Sequence, residues 1–447
     1  MAMPRRLHFG TSNLVRLGVA GLIVAAVCAV VAPAFSQGLQ PMVLVPPGAD
    51  AGFPRVFFGM HLHNNPGQPP RWPTVPIGSL RLWDARVSWP WLEPERGHWQ
   101  FDRLDKYLEW AEGRSVEVVL PLGLSPRWAS ARPDEASAYG AGGIGYAAEP
   151  ASLDDWRRYV RTVAQRYKGR IRYYELWNEV SDPAFYSGSL DELANLARAA
   201  KAELKAVDPK ILFIGPSAVD LNDRKTAMPA EFVAKAGPGV VDIVSYHLYH
   251  GGQLPEAMVV AAPNVRRELD RRGLTGLPVW NTEAGYYITP PADLAARGQA
   301  FRRYYISADT AAQYLPRDLL LARAMGYERY FFYSWDNDFL GFVEPGTDIL
   351  RPHARVLQQF IELLVDSRLS GCDRDAQGLW RCMLRLKGGA EALALWRDPA
   401  AKAEALSVPL PWPGHLVLLD GQATDRQPAR GNITPGPVVQ VLIRDAR

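Results

Sequence analysis

Cysteine is scarce in this chain, with three in 447 residues. That excludes a disulfide-stapled scaffold and a cysteine-rich metal module, so stability must come from a hydrophobic core. No glycine-rich phosphate loop follows any strand-like run, which removes the usual nucleotide-binding motifs. There is no internal repeat beyond an alternating strand–helix unit, and no low-complexity tract. Acids are missing altogether from residues 1–36. Lys and Arg number 50 against 47 Asp and Glu, and Arg5, Arg6 and Arg16 account for the difference. The rest of the chain is charge-balanced and lacks the basic excess of a nucleic-acid binder.

In that acid-free segment, the three arginines precede an apolar run over 17–34, which ends in small residues at Ala32-Pro33-Ala34 and Ser36. The pattern predicts a signal peptide over 1–36, or an anchor holding the protein to the inner membrane through 17–34. Either predicts an exported protein: periplasmic, membrane-tethered or secreted. Cys28, inside the run, reads as a small apolar residue. Cys372 and Cys382 flank the turn-rich segment 373–378, and in an exported chain they predict a disulfide joining two strands.

Tryptophan is abundant, with 14, all after position 70. Some must pack in the core, and others offer flat faces on which sugar rings stack. Short apolar runs lie at 56–63, 79–84, 117–122, 172–179, 211–216, 241–249, 277–283 and 328–335. Such runs suit strands buried on both faces of a parallel sheet. Helical patterns fall between them. Ser152 with Asp155, and Ser189 with Glu192, have capping-box spacing. They precede apolar periods at Trp156, Val160, Val163 and Tyr167, and at Leu193, Leu196, Ala200 and Leu204. Eight alternations predict a (β/α)8 barrel over 37–366. Residues 367–447 change texture to short β-like runs with Pro and Gly between, predicting a small β-sandwich-like module that 37–50 could extend by a strand.

In such barrels the chemistry sits at the carboxyl ends of the strands. The fourth run ends in Asn178-Glu179 and the seventh in Glu283, on facing sides of the mouth. Two carboxylates there, otherwise a costly like-charge pair, suit glycosidic bond cleavage, one as acid/base and the other as nucleophile. Arg81 and Asn281 could hold the nucleophile ionised, Tyr249 could reach it, and Asn178 could bond a sugar hydroxyl. His61 and His247 are candidates for sugar hydroxyls, Trp128 and Trp335 for the walls of the site, and Tyr286 and Tyr287 for similar roles. The long loop over 129–150 is a candidate cleft wall or lid.

With those residues in place, the chain resembles clan A of the retaining glycoside hydrolases. In that clan Asn-Glu ends the fourth strand with the acid/base, and a Glu ending the seventh is the nucleophile. Arg81, Asn178-Glu179, His247, Tyr249, Glu283 and Trp335 match the clan's residue types. Arg-Leu-Trp-Asp at 81–84, Leu-Ser-Pro-Arg-Trp-Ala at 124–129 and Glu-Leu-Trp-Asn-Glu at 175–179 look like family 39. The export signal and short β module look most like PslG-type endoglycosidases encoded with bacterial exopolysaccharide genes. The resemblance implies Glu179 as acid/base, Glu283 as nucleophile, a polysaccharide substrate and no cofactor or metal. A monomer is expected.

Two other readings remain at this level. His61 and His63 share one side of the first strand, and with His247 and Asp336 they could form an amidohydrolase-type zinc site. The fifth run, however, offers no histidine. A non-catalytic polysaccharide-binding barrel is the other, and the intact pair Glu179 and Glu283 argues against it.

Overall fold

The computed structural model describes residues 39–46, 51–63, 71–219, 223–290, 299–401, 406–422 and 426–445. The predicted signal or anchor segment, with its run 17–34 and Cys28, lies outside the described residues. Among those described, no helix is long and apolar enough to cross a membrane.

Eight strands form one parallel sheet: β1 Phe58–His61, β2 Ser79–Arg81, β3 Glu117–Leu122, β4 Tyr173–Leu176, β5 Leu212–Ile214, β6 Val244–His247, β7 Val279–Ala284 and β8 Tyr327–Phe332. Neighbours pair in chain order and β8 pairs with β1. Between β5 and β6 closure is carried by Gly215 N donating to Ile243 O and Asp242 N to Phe213 O, each at 2.8 Å. The helices follow: α1 Asp102–Glu112, α2 Leu153–Arg166, α3 Leu190–Val207, α4 Asp223–Ala236, α5 Met258–Arg271, α6 Ala308–Ala324 and α7 Pro352–Leu364. This is a (β/α)8 barrel.

The helix starts follow from sequence. Ser152 accepts from Asp155 N, and Ser189 with Glu192 closes a reciprocal capping box. Their apolar faces, Trp156 with Val160 and Leu193 with Leu204 among them, are buried against the sheet. The strands are shorter than the apolar runs suggest. β4 stops at Leu176 and β8 at Phe332, so Asn178, Glu179 and Trp335 lie in the connections beyond the strands. There the backbone no longer has to serve a ladder and is free to aim side chains into the mouth.

Inside the barrel the lower layer is apolar: Val119, Tyr173, Ile214, Ile243, Trp280 and Phe331. Arg329 seals it, its guanidinium 4.1 Å from the Trp280 ring centroid and 4.5 Å from that of Tyr173. At Gly59 on β1 a Cβ would stand 2.4 Å from the Phe331 ring, so this close approach requires glycine. The layer above is polar and holds the site.

After α7 the chain builds an antiparallel sheet beginning with β9 Arg368–Arg374, β10 Leu379–Arg385 and β11 Glu391–Arg397. Met42–Leu44 pairs with β9 and therefore belongs to this sheet rather than to the barrel, as the strand over 37–50 anticipated. A two-stranded ribbon, Val408–Pro409 with Asn432–Ile433, lies by Leu379, Leu393 and Leu395 on the far face. Cys372 and Cys382 sit opposite each other on β9 and β10 and are joined as a disulfide. The module is fastened to the barrel at α7, where Gln359 Nε2 donates to Leu418 O and Gly421 N to Gln359 Oε1.

Candidate active site

Arg81, at the end of β2, organises the mouth. It is fully buried and donates to three acceptors: Nε to Glu175 Oε2 at 2.5 Å, Nη1 to Glu283 Oε2 at 3.0 Å, and Nη2 to Asn178 Oδ1 at 2.8 Å. Burial works against the guanidinium's charge, but Glu175 and Glu283 outweigh it and hold the pKa above the ordinary arginine value. Glu175, on β4, also accepts from Thr282 Oγ1 at 3.0 Å. A charge in the middle of an apolar strand must be paired, and Arg81 is its partner.

Beyond β4 the chain turns sharply. Trp177 and Glu179 both have left-handed backbone, with φ of 58° and 42°. For non-glycine residues this costs of order 1–3 kcal/mol each and persists only where the surroundings enforce it. Here Trp177 N donates to Leu122 O, its indole Nε1 to Phe185 O, and Glu179 N to Ser217 Oγ. The turn points the Glu179 carboxyl, 12% exposed, across the mouth toward β7. His247 Nδ1 lies 2.9 Å from Glu179 Oε1. Burial first, then Arg81, depresses the His247 pKa well below its usual value, so this is a hydrogen bond to a neutral imidazole and not an ion pair.

On the other side, Glu283 Oε1 accepts from Tyr249 Oη at 3.0 Å while Oε2 faces Arg81. One carboxylate oxygen of each Glu and a ring nitrogen of His247 all lie within 4.8 Å of one another. Both carboxyls titrate high. Burial and the neighbouring Glu283 raise Glu179 well above the usual range. Burial pushes Glu283 up to about 7, with Arg81 and Tyr249 pulling the other way. The cation and the phenol both favour ionisation at Glu283, whereas at Glu179 only the cation opposes burial and the neighbouring carboxylates. Opposed environments of this kind separate an acid from a nucleophile.

Above the pair opens a cavity of about 770 Å³. Asn178, Glu179, Tyr249 and Glu283 line it, while Arg81, His61 and His247 lie beneath. Two of the expected wall residues are placed elsewhere. Trp335 is 1% exposed and packed behind the site, and Trp128 is wedged between Arg96 and Arg158 with its Nε1 donating to Glu93 O. The aromatic face at the end of β8 belongs to Tyr333, whose hydroxyl donates to Asp84 Oδ2 at 2.6 Å. Tyr139, from the loop over 129–150, donates to Asp84 Oδ1 at 2.9 Å and so ties that loop to the connection after β2. Tyr287 lines the cavity, whereas Tyr286 turns away to Asp318. Sequence reasoning set Asp84 beside Arg81 at the end of the second strand, but did not single out Glu175, Tyr333 or the bonds that Tyr139 and Tyr333 make to Asp84. The available signal was the unpaired charge of Glu175 within an apolar strand.

His61, His63 and His247 do not converge among the described residues. His61 Nε2 bonds Thr282 O at 2.9 Å, and His63 N donates to Asp336. The convergent donor set is Glu179, His247 and Glu283. Arg81, already bonded to Glu283, supplies there the positive charge that a metal would bring.

No protein-family model and no curated protein matches the chain. Solved structures do. A family 39 glycoside hydrolase from the gut symbiont Bacteroides cellulosilyticus WH2 aligns over 91% of this chain and 85% of its own, at 16% identity and a TM-score of 0.64. A monomeric beta-xylosidase from Caulobacter crescentus CB15 aligns over 90% and 99%, at 16% identity and 0.60. The family 30 subfamily 8 xylanase Xyn30A from Clostridium acetobutylicum aligns over 90% and 99%, at 13% identity and 0.59. The chain shares their fold.

Proposed function

We propose that this protein is a retaining glycoside hydrolase of the family 39 type, with Glu179 as acid/base and Glu283 as nucleophile. The observation that carries the proposal is the separation of the pair, with carboxylate oxygens within 4.8 Å. Retaining enzymes hold their carboxyls at roughly 5–5.5 Å, whereas inverting enzymes need about 6.5–9.5 Å to admit a water. In the first step Glu283 attacks the anomeric carbon while Glu179 gives its proton to the departing glycosidic oxygen. A glycosyl ester on Glu283 results. Glu179, now ionised, takes a proton from water, which attacks the same carbon and releases Glu283. Asn178 presents Oδ1 to Arg81, which leaves its amide N–H groups to donate to a sugar hydroxyl. Such a bond strengthens as the transition state forms.

The proposed substrate is a polysaccharide, and the export segment expected from the sequence, with the short β module, favours a bacterial exopolysaccharide. Phe185, Tyr287, Tyr304 and Phe339 on the cavity walls are suited to stacking along a glycan. The Cys372–Cys382 disulfide suits an exported protein, acting in an oxidising compartment. The test is digestion of a panel of exopolysaccharides, with xylan included because two structural neighbours are named for xylosides, and with products followed by NMR. The anomer released first should have the configuration of the bond cleaved; the opposite anomer would overturn the double displacement.

A pH prediction follows from the two ionisations. kcat/KM should rise as Glu283 loses its proton and fall as Glu179 loses its own, giving a bell. Glu179→Gln, measured on a substrate with an activated leaving group, should remove the alkaline limb and keep the acid one. An alkaline limb that survives would assign the acid role to another group.

A further inference from the structure

Tyr249 begins the connection from β6 to α5, which also presents His250, Gly251 and Gln253 to the cavity. The connection is held from behind at both ends by buried polar groups that the chemistry above does not use. Near its start His250 Nε2 lies 3.4 Å from Asp318 Oδ2, an oxygen that also accepts from Tyr286 Oη. At its far end Glu256, 6% exposed, accepts at Oε1 from Trp396 Nε1 at 2.8 Å and lies 3.6 Å from Arg317 Nη1. Arg317 and Asp318 are adjacent on α6 and fully buried. Trp396 is on β11, in the C-terminal module, stacked on Trp380 with centroids 5.5 Å apart. One buried chain of contacts therefore runs from the β module to the loop whose tyrosine bonds Glu283.

We infer that Trp396 is a positioning residue for Tyr249, acting through Glu256 and the Arg317–Asp318 pair, so that the β module is part of the active-site scaffold. Burying an ion pair and an indole N–H between two lobes is costly unless their geometry is kept. The bonds of Gln359 on α7 with Leu418 and Gly421 would suffice merely to attach the module. A bond from the indole to a carboxylate seven residues along the chain from Tyr249 fixes the loop in one register. The inference rests on the glycosidase reading only in calling the scaffold catalytic.

Other groups that act on Glu283 are Arg81 on β2, Asp84 after it, Tyr139 in the loop over 129–150, Glu175 on β4, Glu179 beyond it, Tyr287 after β7 and Tyr333 after β8. None of these belongs to the Trp396 chain. The Tyr249 hydrogen bond favours the ionised carboxylate, so loosening it raises the pH at which Glu283 ionises. Trp396→Phe keeps an aromatic ring against Trp380 and deletes the donor together with part of the ring system. Glu283 should be titrated by difference infrared spectroscopy against Glu283→Gln in wild type, Trp396→Phe, Tyr249→Phe and the double variant. Trp396→Phe should raise the midpoint by about 0.3–1 pH unit, the range for loss or weakening of one hydrogen bond. It should add nothing once Tyr249→Phe is present. Glu256→Gln, which keeps the acceptor oxygen without its charge, should give a smaller shift of the same sign and serves if Trp396→Phe folds poorly. A midpoint unmoved in Trp396→Phe and Glu256→Gln, or a shift that persists in full without the Tyr249 hydroxyl, would overturn the inference. The titration needs no substrate, so failure to find turnover would count against the catalytic reading alone.

Discussion

Glu283→Gln should fold, bind glycan and turn over on the order of 10⁴–10⁶ times more slowly, the scale of losing a covalent nucleophile. Glu179→Ala should behave differently. On a natural glycan, whose leaving group needs a proton, the loss should be about 10²–10⁴-fold. On a dinitrophenyl glycoside the first step needs no acid, so the glycosyl ester on Glu283 should accumulate as a burst. Azide should then enter the space left by the carboxyl and restore turnover, giving a glycosyl azide of retained configuration. Mass spectrometry of the trapped ester and NMR of the azide product check both halves. Glu283→Ala should be rescued by azide to an azide of inverted configuration; inversion in Glu179→Ala with retention in Glu283→Ala would show the roles to be exchanged.

The same residues should trade stability for function. Glu179 titrates above its unfolded value, because burial and Glu283 disfavour its ionised form. At pH values below the unfolded carboxyl pKa, both states are protonated and the position is neutral. As pH rises, the unfolded chain ionises freely while the folded one resists, so folding stability is lost across the window up to the folded pKa, at about 1.4 kcal/mol per pH unit. Glu179→Gln, isosteric and still able to bond His247, should therefore raise the melting temperature at neutral pH and leave it unchanged at pH 4.

Much of this was legible in the sequence because it rests on local rules. Capping at Ser152 and Ser189, and short apolar runs between helical periods, are written within ten or twenty residues. Counting the runs placed Glu179 and Glu283 on facing strands. Arg81, Asn178 and Tyr249 followed because each lies at the end of an apolar run of the same barrel, Arg81 on its strand and the other two just beyond theirs. What failed was anything decided by backbone direction after a strand ends. Trp335 and Tyr333 are equally aromatic and two residues apart, and only the path of the chain past Phe332 gives the cavity to Tyr333. Trp128 read as a sugar platform, but cationic neighbours from the turn at Arg96 and from α2 at Arg158 claim its ring. Glu175 went unremarked because its reason for being there, Arg81, lies on another strand.

Arg81→Met should be the most destabilising substitution at the site. The guanidinium lies at zero exposure and serves three acceptors, two of them carboxylates. Removing one partner from a buried ion pair typically costs about 3–5 kcal/mol, because the other charge is left without compensation. Here Glu175, also at zero exposure, would be that charge. Adding Glu175→Gln removes it, so the double variant should recover much of the lost stability in calorimetry, since a buried pair replaced by neutral groups is often close to neutral. Activity should not follow. Without Arg81 the Glu283 carboxylate loses its main stabilising charge and Asn178 the bond that orients it, so the acid limb should stay displaced upward and kcat/KM depressed in both variants. Recovery of both stability and activity in the double variant would mean that Arg81 serves only to neutralise Glu175. Stability alone recovering separates the two tasks of one side chain, neutralising Glu175 on β4 and holding Glu283 in its ionised form.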